Sequence, residues 1–575
     1  MCTLVRERWK NWSNQNLADQ DLKIQLMKMQ FEEEEMEDCF YKDLEFGTGG
    51  LRGVIGAGTN RMNIYTVAKA TQGYSNYLVN NFSSPSVAIA YDSRIKSDKF
   101  AEVAASVFGA NGIRVYTYPE LMPTPALSFA VRHLQCSGGI VITASHNPAK
   151  YNGYKVYGPD GCQITTEVAK EILSEIETVE IFEGVKSIAF EEGLRQGVIS
   201  FIREDTVDAY INAVSGQSLC GNEDIDKSIS IVYTPLNGAG LKCITRCLQE
   251  NGFTNIYIVE EQEKPDGNFP TCPYPNPEIR EALELGLCKA KHTSSDLLLA
   301  TDPDCDRVGI AVKADNDYVL LSGNEVGMLL LDYICKRRIA LNKMPKSPVF
   351  VKTIVTIDMA KRIAEDYGVQ VIEVLTGFKF IGEQIGFLEE ADQEDRYILG
   401  FEESYGYLTG SYVRDKDAVD GVLLICEMFA YYKAQGQSLL DVLNELYQRY
   451  GYCLNTLHSY EFEGVEGFKK MQNIMYSFRN EYPNEWLGHK ILAVSDYKES
   501  MIRFVDGHCE KIMLPQSDVL KYELEGNISV VVRPSGTEPK LKMYFSVSAE
   551  NKEDAEDLEE QLVAVMEKQL NLYGL

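Results

Sequence analysis

Three times along the chain a short apolar run gives way to an amphipathic stretch. Each pass ends in an apolar run that stops on a polar loop marked by Gly or Pro. Val87–Ala90, the helical pattern Ser97–Ala110, Ile113–Tyr118, the helical pattern Pro125–Leu134 and Gly139–Thr143 make the first pass, which stops at TASHNP. Ile229–Tyr233, Gly240–Glu250 and Asn255–Val259 open the second, which ends in LLLATDPDCDR (Leu297–Arg307). Val349–Lys352, Asp358–Tyr367 and Val371–Val374 open the third, which reaches YILGFEESYGY (Tyr397–Tyr407). Strand-length runs alternating with helix-length patterns specify βαβ units on mainly parallel sheets. The last stretch differs: a helix around Gly467–Glu481 precedes strand-like Ile528–Val532 and Met543–Val547 and a final helix, Glu553–Leu570, an α+β order. Residues 1–40 read as helix, with Glu32–Glu35 as a solvated face. No short period recurs, which argues against a solenoid. At roughly 150 residues per domain, 575 residues make four domains, predicted at 1–205, 206–322, 323–455 and 456–575.

Composition narrows the partners. Lys plus Arg number 56 and Asp plus Glu 85, a net charge of −29. A surface this acidic disfavours nucleic acid or anionic membrane, yet leaves room for a small anion held by a few placed cations. The most apolar windows, Val326–Cys335 and Val422–Tyr432, are interrupted by Asp332 and Glu427, so no membrane helix is expected. MCTLVRERWKNW lacks an apolar signal core, and Cys2 stands where myristoylation needs Gly. The 14 cysteines form no CxxC pair, so reduced thiols and a cytoplasmic location are expected. Cys243 and Cys247 read as core packing of one helix face.

Ligands of open α/β sheets collect beyond the carboxyl ends of the strands, so the loops there are the candidates. TASHNP places Ser145 after an apolar strand and before Pro148, where a hydroxyl can act as nucleophile or phosphoryl carrier; the same residues also suit a plain turn closed by Asn147. No GxSxG elbow surrounds it. In TDPDCDR, Asp302, Asp304 and Asp306 alternate, and an extended chain, favoured at Asp302 by Pro303, would point all three to one side. Three converging carboxylates call for a hard divalent cation. An EF-hand is excluded, since Arg307 and Lys313 stand at its sixth and twelfth positions. A Mg²⁺ site open to a phosphoryl oxygen fits, with Arg307 adjacent and Cys305 expected to face away. RPSGTEPKLK gathers Arg533, Ser535, Gly536, Thr537, Lys540 and Lys542 into a cradle for a phosphate that is not transferred. GFEESYGY offers Glu402, Glu403 and Ser404 to sugar hydroxyls. Thr59 replaces the Walker A lysine after Gly53–Gly58, and Arg52 breaks a GxGxxG from Gly47 and Gly49, so nucleotide binding is not expected.

In this order TASHNP, TDPDCDR, GFEESYGY and RPSGTEPK resemble the four signature loops of the α-D-phosphohexomutase superfamily, over a span from FGTGGLRG at 46 to the end of RPSGTEPK at 540. The chain looks most like the branch of phosphoglucomutase-2 and phosphopentomutase-like enzymes. The resemblance implies an α/β, four-domain phosphohexomutase architecture: three α/β domains with mixed, mainly parallel sheets and a C-terminal α+β domain around a central cleft. It implies a phosphoglucomutase-type isomerase that interconverts glucose 1-phosphate and glucose 6-phosphate. The route is a phosphoserine enzyme and glucose 1,6-bisphosphate, the latter also an activator, with one Mg²⁺ per chain. By the same resemblance Ser145 carries the phosphoryl group and, with Asp302, Asp304 and Asp306, holds the metal; Lys155 is the general acid/base, His146 lies near the reacting groups, and Arg52 and Arg307 stabilise the transferred phosphoryl. Thr376, Gly377, Lys379, Glu402 and Ser404 read the sugar. Arg533, Ser535, Gly536 and Thr537 clamp the distal phosphate, assisted by Arg414 and Lys416. The implied partners are sugar phosphates, with the chain a monomer or weak homodimer.

Two departures bear on the substrate: Cys305 where many relatives carry a small residue, and GFEESYGY in place of a GEESFG-like loop. Phosphopentomutase, phosphomannomutase and glucose 1,6-bisphosphate synthase share this residue set. A Mg²⁺-dependent phosphatase has no need of RPSGTEPK, and a non-catalytic sugar-phosphate binder has no need of Ser145, Lys155 and three aspartates.

Overall fold

The structure, a computed structural model, describes residues 3–47, 49–221, 225–462, 464–534 and 540–574. The chain forms two compact units, one of residues 1–323, 378–400 and 404–434, the other of 324–377, 401–403 and 435–575.

In the first unit, the runs around Val87–Ala90 and Ile140–Ile142 are buried on both faces, as continuous apolar strands demand. Gly138–Ile142, Ser86–Tyr91, Arg114–Thr117 and Ile199–Phe201 lie side by side in parallel. Beyond Gly138–Ile142 the sheet continues with antiparallel Tyr151–Tyr157, Gly50–Val54 and Phe46–Gly47. The mixed character enters at this edge. Gly50–Val54 lies in the glycine-rich segment, where the alternation gives no sign of a strand. Helices Ile64–Asn81, Ser97–Ala110 and Thr166–Glu177 cover the sheet with Tyr74, Leu78, Phe108 and Ile172. The N-terminal region is not one helix but three: Thr3–Ser13, Gln20–Met29 and Glu33–Phe40. Asp19 caps the second, accepting a hydrogen bond from the Asp21 N–H. Glu33, Glu34 and Glu35 occupy the first turn of the third, where the positive end of the helix dipole favours carboxylates.

The second sheet of this unit has Ile256–Ile258, Ile231–Thr234 and Leu297–Thr301 in parallel, then antiparallel Val308–Ala314 and Asp317–Leu321. The helix Leu241–Glu250 buries Cys243 and Cys247 in the core, as its sequence predicts.

The third α/β stretch is shared between the units. Parallel strands Val349–Thr353 and Gln370–Val374 and the helix Met359–Asp366 fall in the second; Phe378–Glu390 and Ala418–Ala434 fall in the first. The C-terminal residues of the second unit form an antiparallel sheet whose strands Ile528–Pro534 and Lys540–Ala549 flank the RPSGTEPK loop. Its core packs Ile474, Phe478, Val530, Phe545 and Met566. Among the described residues no helix is long and apolar enough to cross a membrane.

Candidate active site

Strand Gly138–Ile142 delivers Ser145 three residues beyond its end, 4% exposed and in the left-handed region at φ 51°. Its Oγ donates to Asp302 Oδ2 at 2.6 Å and lies 3.1 Å from His146 Nδ1. Its N–H donates to Thr143 Oγ1 at 2.8 Å, and Thr143 Oγ1 donates to Asp92 Oδ2 at 2.6 Å. Burial, then the charges of Arg307 and Arg52, push the His146 imidazole well below its usual range, so the ring is neutral.

The three aspartates converge as expected, but not along an extended chain. Thr301 pairs with Val308 across an antiparallel hairpin, and residues 302–307 are its loop. The Cys305 N–H donates to Asp302 O at 2.9 Å, and Cys305 turns the chain with φ 54°. The hairpin closes the three carboxylates on one point, where candidate ligand oxygens lie within 4.8 Å of one another, all buried. Cys305 faces away from them; its sulfur would lie 3.0 Å from a Cβ placed on Gly240.

Every carboxylate is held by a second contact. Asp302 Oδ1 accepts the N–H groups of Asp306 and Arg307, both at 3.1 Å. Asp304 Oδ2 accepts from Lys155 Nζ at 2.8 Å and Thr124 Oγ1 at 2.9 Å. Asp306 Oδ2 lies 3.1 Å from Lys416 Nζ. The remaining oxygens, Asp304 Oδ1 and Asp306 Oδ1, are buried without a hydrogen-bond donor. Buried carboxylate oxygens are rarely left so unless a cation takes them, so the residues fit a hard divalent metal. The protonation pattern agrees. Burial, then Asp304 and Asp306, raise the Asp302 carboxyl well above its usual range. Burial also opposes ionisation of Asp304, but the charge of Lys155 and its hydrogen bond outweigh it and hold Asp304 far below.

Lys155 sits on strand Tyr151–Tyr157, opposite Gly50. Gly50 has φ 140°, and a Cβ there would lie 1.8 Å from Tyr154 O, so only glycine fits. Burial disfavours the Lys155 ammonium, but Asp304 and Asp306 prevail and raise it above its usual range. Arg307 Nη1 donates to Glu278 Oε1 at 2.8 Å. Arg52 Nη1 donates to Asn147 Oδ1 at 3.3 Å, at the mouth of the serine loop.

Ser145, His146, Lys155, Arg52, Arg307, Asp302, Asp304 and Asp306 are thus gathered in the first unit. Lys416 joins them, on Asp306. Arg414 does not join them: it is 0% exposed, with its Nη groups engaged by Glu389 Oε2 at 2.5 Å and by the carbonyls of Ser411 and Val413. Lys379 and Ser404 also belong to the first unit, and burial pushes the Lys379 ammonium below its usual range. In the second unit Glu402 Oε1 accepts from the Gly377 N–H at 2.9 Å, which joins the Thr376–Gly377 turn to Glu402 of GFEESYGY. Arg533 hydrogen-bonds Tyr544, whose phenol is raised by burial and by Glu403 and Glu402, so Arg533 and the acidic pair share one neighbour. Ser535, Gly536 and Thr537 lie outside the described residues.

The sequence reading missed Thr124, Asp92, Arg94, Asp415 and Tyr157. Asp415 Oδ2 accepts from Tyr157 Oη at 2.7 Å, and its Oδ1 lies 3.1 Å from Lys416 Nζ. The charged run RDKD (Arg414–Asp417) is the one local sign of this network.

Comparison with known proteins agrees with this geometry. Residues 43–181, 208–315 and 322–450 match the family models of phosphoglucomutase/phosphomannomutase alpha/beta/alpha domains I, II and III, and residues 489–565 match the C-terminal domain. A phosphoglucomutase of Staphylococcus saprophyticus is 37% identical over 90% of this chain and 93% of its own. One from Staphylococcus haemolyticus is 36% identical over 95% and 97%. Among solved structures, the open form of pp63/parafusin (phosphoglucomutase) from Paramecium has the same fold, with a TM-score of 0.65 at 18% identity over 92% of this chain and 95% of that one. Four domains in this order, and relatives this similar over nearly their full length, make the chain a member of the phosphoglucomutase/phosphomannomutase family.

Proposed function

We propose that the protein is a phosphoglucomutase, an isomerase that moves a phosphoryl group between the two ends of glucose phosphate by way of Ser145. The observation that carries this reading is the 2.6 Å hydrogen bond from Ser145 Oγ to one of three buried, converging aspartates. A structural turn has no use for a hydroxyl beside three carboxylates and a buried ammonium.

In this reading Ser145 rests as the phosphoserine and gives its phosphoryl group to a hydroxyl of the bound monophosphate. The bisphosphate formed turns over, and its other phosphate returns to the same oxygen. Lys155, kept protonated by Asp304 and Asp306, donates to the departing serine oxygen and is reprotonated by the attacking sugar hydroxyl; the return transfer runs the same exchange backwards, from the Ser145 hydroxyl to the departing sugar oxygen. Neutral His146 orients Ser145 Oγ, and Arg52 and Arg307 offset charge on the group in transit. Asp302, Asp304 and Asp306 would hold one Mg²⁺, which supplies charge stabilisation to the phosphoryl oxygens when bound. Glu402, Thr376, Gly377, Lys379 and Ser404 read the sugar, and Arg533 with Ser535, Gly536 and Thr537 holds the distal phosphate. The four stretches 1–205, 206–322, 323–455 and 456–575 each supply one of these loops. A small anionic sugar as partner suits a chain of net charge −29, which repels nucleic acid; free thiols at the described cysteines suit the cytoplasm.

Glucose is the sugar favoured by the names of the relatives above. Coupled assays of glucose 1-phosphate, mannose 1-phosphate and ribose 1-phosphate, with and without a trace of glucose 1,6-bisphosphate, test the reading. Bisphosphate-dependent turnover, fastest on glucose 1-phosphate, is expected. Release of inorganic phosphate without isomerisation would instead mark a phosphatase.

A further inference from the structure

The segment YDSR (Tyr91–Arg94) leaves strand Ser86–Tyr91 alongside the serine loop, and its arginine is 2% exposed. Arg94 Nη1 donates to Pro148 O and Tyr151 O, both at 3.0 Å. Nη2 donates to the carbonyls of Ser145 and Asn147. One guanidinium thus binds four main-chain carbonyls between residues 145 and 151. Asp92 lies 3.4 Å from Arg94 Nε. The same Asp92 accepts from Thr143 Oγ1, the acceptor of the Ser145 N–H. The serine loop is therefore gripped on its N–H side through Asp92 and Thr143, and on its carbonyl side by Arg94.

The guanidinium also meets the segment between strand Ile256–Ile258 and helix Arg280–Thr293. Its carbon lies 5.1 Å from the centroid of the Phe269 ring. The Arg94 backbone bridges Gly267, where an added Cβ would fall 2.4 Å from Ile95 N. A plain turn needs no buried cation, and burying one is costly unless its donors are used. Arg is the side chain whose rigid fork can hold several carbonyls at once; Lys cannot. Ser145, at φ 51°, adopts a backbone that a non-glycine residue keeps only when its surroundings enforce it.

We infer that Arg94 is a positioning residue for phosphoryl transfer. Its fork sets the backbone of the serine loop, and Phe269 packs on the guanidinium and keeps the fork in place, so that Ser145 Oγ is held on Asp302. This rests on the mutase reading above, and the test separates the two. Arg94→Lys keeps the charge but cannot span four carbonyls. Steady-state assays on glucose 1-phosphate at saturating Mg²⁺ and bisphosphate, normalised to folded protein by circular dichroism, should give a kcat lower by about 10²-fold. KM should stay within about threefold, because the binding groups are untouched. Phe269→Leu, which keeps the fork and removes the aromatic face, should lower kcat by about tenfold with the same unchanged KM. It decides the matter by the same criteria if Arg94→Lys does not fold. A wild-type kcat per folded molecule, or a loss confined to KM, overturns the inference. An inactive wild-type protein overturns the mutase reading and this inference together. An active wild type beside unchanged variants overturns the role of Arg94 alone.

Discussion

In the proposed reaction two demands meet on the Ser145 oxygen: it must be exposed enough to give a phosphoryl group to a sugar and enclosed enough that water does not take it. The residue is 4% exposed, donates to Asp302 and adjoins a neutral His146. Ser145→Ala should lower mutase turnover by at least about 10³-fold with an unchanged circular dichroism spectrum. Asp304 has a different part, since one oxygen is taken by Lys155 and Thr124 and the other has no donor. Asp304→Asn should raise the Mg²⁺ concentration for half-activation by at least about tenfold, read by metal titration of the activity. That a serine and three aspartates stand in loops beyond apolar strands was legible in the sequence, and the structure brings them together. Their geometry was not: residues 302–307 turn at Cys305, and a left-handed cysteine leaves no pattern in the residues around it.

Elements place these residues, and here the local code is less complete. The strands beside TASHNP and TDPDCDR are readable because they are buried on both faces and so continuously apolar. Strand Tyr151–Tyr157, which carries Lys155, reads instead as a mixed polar–aromatic segment, because its pairing with Gly50–Val54 is set by residues about a hundred positions away. Gly406 shows the same dependence on distant chain: a Cβ there would lie 2.0 Å from Lys416 Cδ. Gly406→Ala should therefore displace Lys416 from Asp306 and lower kcat by about tenfold or more, read in the coupled assay, with a small change in unfolding midpoint. In the second unit, Lys352, 0% exposed, lies 3.0 Å from Asp358 Oδ1 and 2.9 Å from Glu373 Oε1, and Lys361 and Lys521 adjoin the same carboxylates. Burial opposes ionisation of both acids, but the lysines prevail and hold them well below the usual carboxylate range. Acids depressed in the fold add stability that is present at neutral pH and lost as pH falls below their unfolded range. Lys352→Met should cost about 3 kcal/mol at pH 7 and less at pH 3, measured by urea unfolding at both values.

For the molecule as a whole, the order of the four loops identifies the family, while side-chain contacts distant in sequence decide how each loop is held. Arg94 and Asp92 grip the serine loop from about fifty residues before it, and Tyr157, 258 residues before Asp415, holds the carboxylate that pairs with Lys416. No spacing rule joins such positions, so these supports appear only once the chain is folded. The overall acidity of the chain says little of the site, where Lys155, Lys416, Arg52 and Arg307 set a cationic local field against three aspartates. The most direct test follows a labelled phosphoryl group. Protein phosphorylated with ³²P-labelled glucose 1,6-bisphosphate is mixed with unlabelled glucose 1-phosphate and Mg²⁺ and quenched on the timescale of one turnover. The label should sit on Ser145 before mixing and pass to the sugar afterwards, emerging in glucose 6-phosphate. Label on another residue, or its release as inorganic phosphate with none reaching the sugar, would contradict the account.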